Sequence, residues 1–141
     1  MAEFEPEIIC FACNFCTYSA ADLAGTGRVQ YPPNVRIIRV MCSGMVNPDY
    51  VLRAFEMGAD GVIVAGCHYI DCHYIDGPVK CDEMTKKLKP LLRMLGLEER
   101  FRREMISTSE GTIFAKLIYE FVDQLKKLGP SPLKARMEAL A

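Results

Sequence analysis

No charge of either sign dominates this chain of 141 residues: 17 lysines and arginines stand against 18 acidic residues, for a formal net charge of −1. Bulk electrostatics therefore suggest neither nucleic acid nor an acidic membrane as a partner. Interleaved aromatic residues that would stack on bases are missing as well. The opening Met-Ala-Glu-Phe-Glu-Pro-Glu has no basic start followed by a long apolar stretch. No run approaches the roughly 18 apolar residues of a membrane span. A soluble, cytoplasmic protein is expected. Also absent is any Ser/His/Asp arrangement or pair of acids at an active-site spacing, so a hydrolase has nothing to rest on. A nucleotide site has one weak signal, the G-x-G fragment Gly25-Thr26-Gly27. It lacks a third glycine and follows the first expected helix instead of opening it.

Cysteine, by contrast, is plentiful. Seven is an odd count, and in a reducing compartment it argues against a disulfide framework and for thiolate ligation or redox chemistry. For any single intracellular cysteine the commoner role is a small buried hydrophobe. Cys10 and Cys81 are read that way. The composition, 50% hydrophobic and 25% charged, suits one compact domain with a real core. We place it at residues 1–130, with a C-terminal tail at 131–141 after the stop Leu128-Gly129-Pro130.

Three short apolar runs, Glu7 to Ala12, Val35 to Val40 and Gly61 to Ala65, are strand candidates rich in β-branched residues. Helical segments separate them: Thr17 to Ala24, then Asp49 to Met57 with Asn47 as N-cap, Pro48 at the first helical position and Gly58 at the stop. Strand-helix alternation of this kind predicts an α/β domain: a parallel sheet of about four strands flanked by helices, in a flavodoxin-like βαβ arrangement. Asp76-Gly77-Pro78 reads as a turn before a helix from Lys80 to Leu95, ended by Gly96 and kinked or split at Pro90. Arg103 to Ile106 is a weak fourth strand. Ser107 and Glu110 form a capping-box pattern opening a last helix, whose apolar positions run from Ile113 to Leu125.

The cysteines Cys13 and Cys16, then Cys42, then Cys67 and Cys72 all fall where the strand candidates end. In open α/β sheets ligands bind beyond the carboxyl ends of the strands. Parallel pairing would therefore gather five thiols at one sheet edge. Helix-start N–H groups, with Asn14, Ser43, Gly44 and Asn47 nearby, would stabilise the anionic sulfur there. Spacing leaves several chemistries open: a structural Cys₄ zinc site, a [4Fe–4S] or [2Fe–2S] cluster, or a C-x-x-C dithiol at Cys13 and Cys16. The dithiol leaves the other three thiols of the edge unexplained. His68 and His73 each follow a cysteine, which invites comparison with Rieske-type ligation. With five cysteines at hand, the imidazoles are better placed as hydrogen-bonding partners of the ligands. Tyr69 and Tyr74 are expected to cover the site. Basic runs at Lys86, Lys87, Lys89 and Arg93, at Arg100, Arg102 and Arg103, and at Lys126 and Lys127 read as solvated faces or as docking patches for an acidic protein.

Several linked motifs together resemble a known family. They are Phe11-Ala12-Cys13-Asn14-Phe15-Cys16-Thr17-Tyr18-Ser19-Ala20-Ala21-Asp22, Tyr31-Pro32-Pro33-Asn34-Val35-Arg36, Cys42-Ser43-Gly44, Gly58-Ala59-Asp60-Gly61-Val62, Gly66-Cys67-His68 and Asp71-Cys72-His73-Tyr74. The sequence is similar to the delta subunit of methyl-viologen-reducing hydrogenase, a small iron–sulfur protein of methanogenic archaea and related electron-bifurcating complexes. That resemblance implies an electron-transfer subunit with one [2Fe–2S] cluster, held by four of Cys13, Cys16, Cys42, Cys67 and Cys72. Either Cys13 or Cys16 is expected to stand aside, because two thiols in one turn compete for reach. The implied partners are the hydrogenase small and large subunits, or a formate dehydrogenase in their place, and the flavin-containing subunit of heterodisulfide reductase. Cys10, Cys81 and Gly77-Pro78 depart from the family pattern. The competing class is a zinc-stabilised adaptor of a multi-subunit complex.

Overall fold

In a computed structural model of the chain, the described residues are 4–28, 30–70, 72 and 74–134. Four strands, β1 (Ile8–Cys13), β2 (Val35–Val40), β3 (Gly61–Gly66) and β4 (Phe101–Met105), alternate with four helices, α1 (Thr17–Thr26), α2 (Pro48–Glu56), α3 (Gly77–Leu95) and α4 (Gly111–Leu128). All strand pairs are parallel, in the order β2-β1-β3-β4. This is the expected α/β sheet and begins the flavodoxin-like strand order.

Period-two alternation along the central strands feeds two separate cores. Ile8, Cys10 and Ala12 of β1 and Ile63 and Ala65 of β3 face α1 and α4, where Phe114, Ile118, Phe121 and Leu125 pack against them. Phe11, Val62, Val64 and Phe101 face α2 and α3, where Val51, Phe55, Leu88 and Leu92 close the other side. β3 is buried along its whole length because helices cover both its faces. Cys10 and Cys81 are fully buried, one in each core, and burial pushes the Cys10 thiol up to about 12, with the neighbouring Cys13 adding to the effect.

Helix boundaries follow their local chemistry. Asn47 caps α2 by accepting from the N–H groups of Asp49 and Tyr50, with Pro48 in the first turn, and Gly58 beyond its end has φ +104°. Gly96 ends α3 in the left-handed region at φ +74°. Two expectations are corrected. The turn read at Asp76-Gly77-Pro78 is the start of α3, since proline supplies a helical φ and lacks an N–H that a first turn would leave unpaired. Of the kink or split expected at Pro90, the split does not occur, and α3 runs through that position as one helix of 19 residues. The capping box is displaced as well. Glu110 accepts from the Ser107 N–H at 2.8 Å, but α4 starts only at Gly111, with Glu110 as its N-cap.

The amino ends of the strands are tied by one buried carboxylate. Asp60, with no exposed surface, accepts from the backbone N–H of Glu7 at 2.9 Å, the backbone N–H of Ser131 at 2.9 Å and the Lys134 ammonium at 3.3 Å. Arg100 donates to the carbonyls of Asp60, Gly129 and Pro130. The basic run at Arg100, Arg102 and Arg103 is thus not a solvated face. Arg100 is buried, Arg102 lies over the Phe121 ring, and the Arg103 side chain is 9% exposed beside Asp82. No helix among the described residues is long and apolar enough to cross a membrane.

Candidate metal centre

Strand register brings the cysteines to one edge. Cys13, the last residue of β1, lies opposite Val40, and Cys42 follows two residues after Val40. Ala12 pairs with Ala65, so Cys67 emerges from β3 just beyond the level of Cys13. Cys16 sits at the head of α1, and Cys72 lies in the loop before α3.

The five thiols fall into a trio and a pair. The sulfurs of Cys13, Cys16 and Cys67 all lie within 4.8 Å of one another, Cys13 and Cys67 being 3.6 Å apart. Cys42 and Cys72 are 3.9 Å apart, and Cys72 packs against the trio. A single turn therefore keeps neither Cys13 nor Cys16 out of the trio. Two backbone N–H groups among the described residues donate to sulfur: Thr17, from the first turn of α1, to Cys13, and Gly44 to Cys42, each at 3.4 Å. The Gly44 N–H points to sulfur as expected, whereas the Asn47 side chain caps α2. The 3-10 turn at Ser43–Met45, which aims the Gly44 N–H, had no signature in the sequence pattern. Thr17 was legible only as a helix start.

Missing side chains make the room. A Cβ on Gly77 would collide with Cys42 Sγ and stand 3.0 Å from Cys72 Sγ. A Cβ on Gly44 would meet the Gly77 backbone at 2.9 Å, and one on Gly66 would overlap the Ser43 side chain. This cradle fits a cysteine-ligated centre: three backbone positions stay bare where sulfur and a close-approaching chain occupy the volume. Burial raises the thiols of Cys16, Cys42 and Cys67 above their ordinary range. A bonded cation is what offsets that cost, because coordination replaces the proton on sulfur. An all-thiol donor set is soft, and it suits zinc or an iron–sulfur centre in preference to magnesium or calcium.

Around the sulfurs the polar groups are already engaged. His68 Nε2 bonds Glu110 Oε1 at 2.8 Å, and this bond, with the Ser107 N–H, holds the Glu110 carboxyl down at about 2. His68 is thereby oriented from outside the sulfur set. His73 lies outside the described residues. Tyr69 bonds Asp82, and Tyr74 meets Phe15 edge-on at 5.8 Å, both tyrosine rings roughly half exposed. Thr108 donates to the Phe15 carbonyl at 3.0 Å, fastening the Cys16 turn to the β4–α4 loop. Neither Thr108 nor Glu110 could be placed here from the sequence, because both arrive through tertiary packing from a loop far beyond the last cysteine of the edge.

The family description "methyl-viologen-reducing hydrogenase, delta subunit" matches residues 8–129. The chain belongs to this family. It is 54% identical over 129 residues to the D-type iron-sulfur subunit of F420-non-reducing hydrogenase from Archaeoglobus profundus, covering 91% of this chain and 94% of that one. It is 51% identical to the corresponding iron-sulfur subunit of the vhc F420-non-reducing hydrogenase from Methanococcus voltae, covering 95% and 94%. A third relative is much longer. The A-type subunit of Ferredoxin:CoB-CoM heterodisulfide reductase from Methanosarcina mazei is 43% identical over 137 residues, which are 96% of this chain but 17% of that protein. The resemblance drawn from the cysteine motifs is therefore correct at the level of family.

Proposed function

We propose that this protein is an electron-transfer subunit carrying one [2Fe–2S] cluster on four of Cys13, Cys16, Cys42, Cys67 and Cys72. On this reading it relays electrons from a hydrogenase, through contacts with the small and large subunits, or from a formate dehydrogenase, to the flavin-containing subunit of a heterodisulfide reductase in methanogenesis. The observation that carries the reading is the gathering of five thiols at one sheet edge around a glycine cradle. Relatives named as iron-sulfur subunits of hydrogenases, at 54% and 51% identity, support the cofactor and the donor side. The relative in which a like domain makes up 17% of a heterodisulfide reductase polypeptide supports the acceptor side, since one chain there holds both parts.

When bound, such a cluster supplies one-electron transfer without proton transfer or bond making in a substrate. The chain's own part is to hold sulfur and set its surroundings. Thr17 and Gly44 donate N–H to Cys13 and Cys42, which lowers the charge density on those sulfurs. Bare backbone at Gly44, Gly66 and Gly77 keeps the site closely walled. Phe15 and Tyr74, edge-on to each other, and Tyr69 are 37–53% exposed on the loops that carry the cysteines, so on this reading a partner meets the site across aromatic surface.

A second reading keeps one specific observation in its favour. The trio of sulfurs within 4.8 Å, with Cys72 packed against it, also suits a closed tetrahedral zinc site in a structural adaptor. Hydrogen-dependent reduction separates the two. Mixed anaerobically with its hydrogenase under hydrogen, the protein should bleach in the visible and give a reduced-cluster paramagnetic signal, reversed by adding the flavin-containing subunit of heterodisulfide reductase. A protein that binds both partners but shows no absorbance change under hydrogen is an adaptor.

A further inference from the structure

Three basic runs stand out in the sequence, and two of them are engaged by the fold. Arg100, Arg102 and Arg103 are taken up inside it, and Lys126 of the last run pairs with Glu5 at 3.5 Å. The run on α3 is different. From Lys86 to Leu95 that helix carries four cations and no acid, and Lys86, Lys87, Lys89 and Arg93 are all exposed. Glu98, in the turn that follows, binds Arg93 at 3.0 Å and lies in the field of Lys89. Lys86 and Lys87 have no ion pair among the described residues. Cations in the last turns of a helix suit its dipole, and solvation alone would account for them. It does not account for what lies between them. Leu91, Met94 and Leu95 are 45%, 84% and 45% exposed, and spacings of three and four residues put them side by side on the helix, next to Lys87. The inner side of α3 is already filled by Cys81, Met84, Leu88 and Leu92, so these three are surplus to the core. An exposed apolar centre rimmed by charge of one sign is the make-up of a protein-docking surface.

The patch is also remote from the sulfurs. Gly77, which stands against Cys42 and Cys72, opens α3, and at about 1.5 Å per residue Lys86 lies about 14 Å and Leu95 about 27 Å further along the axis. Taking its partners from the electron-relay reading above, we propose that the outer face of α3, Leu91, Met94 and Leu95 rimmed by Lys86, Lys87 and Lys89, fastens this subunit into its complex against an acidic protein surface with an apolar centre. The fastening is separate from the metal centre. Rim charges steer the encounter, and the apolar centre sets how long the contact lasts, so the two parts of the patch act on different rates. One component, the hydrogenase or the flavin-containing subunit of the reductase, carries the acidic counterpart.

Binding kinetics test this: the full chain with its metal is immobilised anaerobically, and each purified component is passed over it at low and at high salt. Wild type should bind one component with an association rate that falls steeply as salt rises. The triple variant Lys86→Gln/Lys87→Gln/Lys89→Gln should associate with that component about tenfold more slowly at low salt and lose most of the salt dependence. Met94→Ser should leave association alone and dissociate faster. Both should keep the wild-type metal content and unfolding midpoint, and Lys116→Gln, which removes an exposed cation from α4, should bind as wild type does. A triple variant that binds every component with wild-type rates and salt dependence overturns the proposal, as does a Met94→Ser variant that dissociates as wild type does. Weakened binding that goes with lost metal also overturns it, because the patch would then act through the centre. So does a wild type that prefers vesicles of anionic phospholipid, or a second copy of its own chain, to either component. Wild type that binds neither component defeats the relay reading instead, so the two failures are told apart before any variant is made.

Discussion

The two ends of the sheet are built on opposite terms. At the amino end, Asp60 and Arg100 meet partners supplied by this same chain: three donors converge on the carboxylate, and the guanidinium reaches four backbone carbonyls. At the carboxyl end, five thiols approach one another, and burial raises those of Cys16, Cys42 and Cys67 with no cation of the described residues offsetting it. A buried polar group that is fully paired serves the fold. A buried cluster of soft donors whose best counter-charge is a metal serves a cofactor. The comparison shows where stability and function are separable in this protein: damage at the amino end should unfold it, and damage at the carboxyl end should empty it.

The largest contrast comes from Asp60→Ala against Gly77→Ala. Removing the carboxylate strands the N–H groups of Glu7 and Ser131 and leaves the Lys134 ammonium with the Glu7 carboxylate alone, at a cost of about 3 kcal/mol. Urea unfolding should show that loss, while the protein that remains folded keeps its metal. Adding a methyl at Gly77 forces apart the Cys42 and Cys72 sulfurs. Metal affinity should drop by about tenfold or more, read by competition with a chelator, against a smaller change in the unfolding midpoint. If Gly77→Ala binds metal as tightly as wild type, the cradle is not part of the site.

A smaller effect is expected from Asn47→Ala, which removes the cap of α2 and leaves the N–H groups of Asp49 and Tyr50 to water. It should cost about 1 kcal/mol and leave metal content untouched, since Asn47 serves the helix and not the sulfurs. The smallest effect sits at Glu110. Its carboxyl is held at about 2, well below the ordinary 4.5, by His68 first and then by the Ser107 N–H. A depressed carboxyl contributes stability above its unfolded value and loses it as pH falls towards the folded one. The stability difference between wild type and Glu110→Gln should therefore be complete above 4.5 and close as pH falls to about 2. A difference that persists unchanged through that window would mean that the hydrogen bonds to His68 and Ser107 do not depend on the charge.

Much of this architecture is legible in the sequence, and the reason is local physics. β-branched runs marked β2 and β3, and Asn47, Pro48 and Gly58 bracketed α2, because capping and φ preferences act within a few residues. Cys13, Cys42 and Cys67 could be placed at one edge because parallel pairing brings the carboxyl ends of successive strands to the same side of the sheet. What escaped depends on contacts between distant segments. The basic run Arg100, Arg102 and Arg103 looked like a charged surface until the chain end and α4 folded over it. Glu110 looked like half of a capping box, and the helix start moved past Ser107 while Glu110 took His68 as its partner. Gly77 read as a turn residue, because no local pattern states that two sulfurs need its missing side chain.

The central claim is that sulfur from three strand ends and one loop converges on a two-iron centre. Anaerobic purification followed by joint analysis of iron, acid-labile sulfide and zinc tests it most directly. The account predicts about two irons and two sulfides per chain, with zinc absent; one zinc per chain with no sulfide would contradict it.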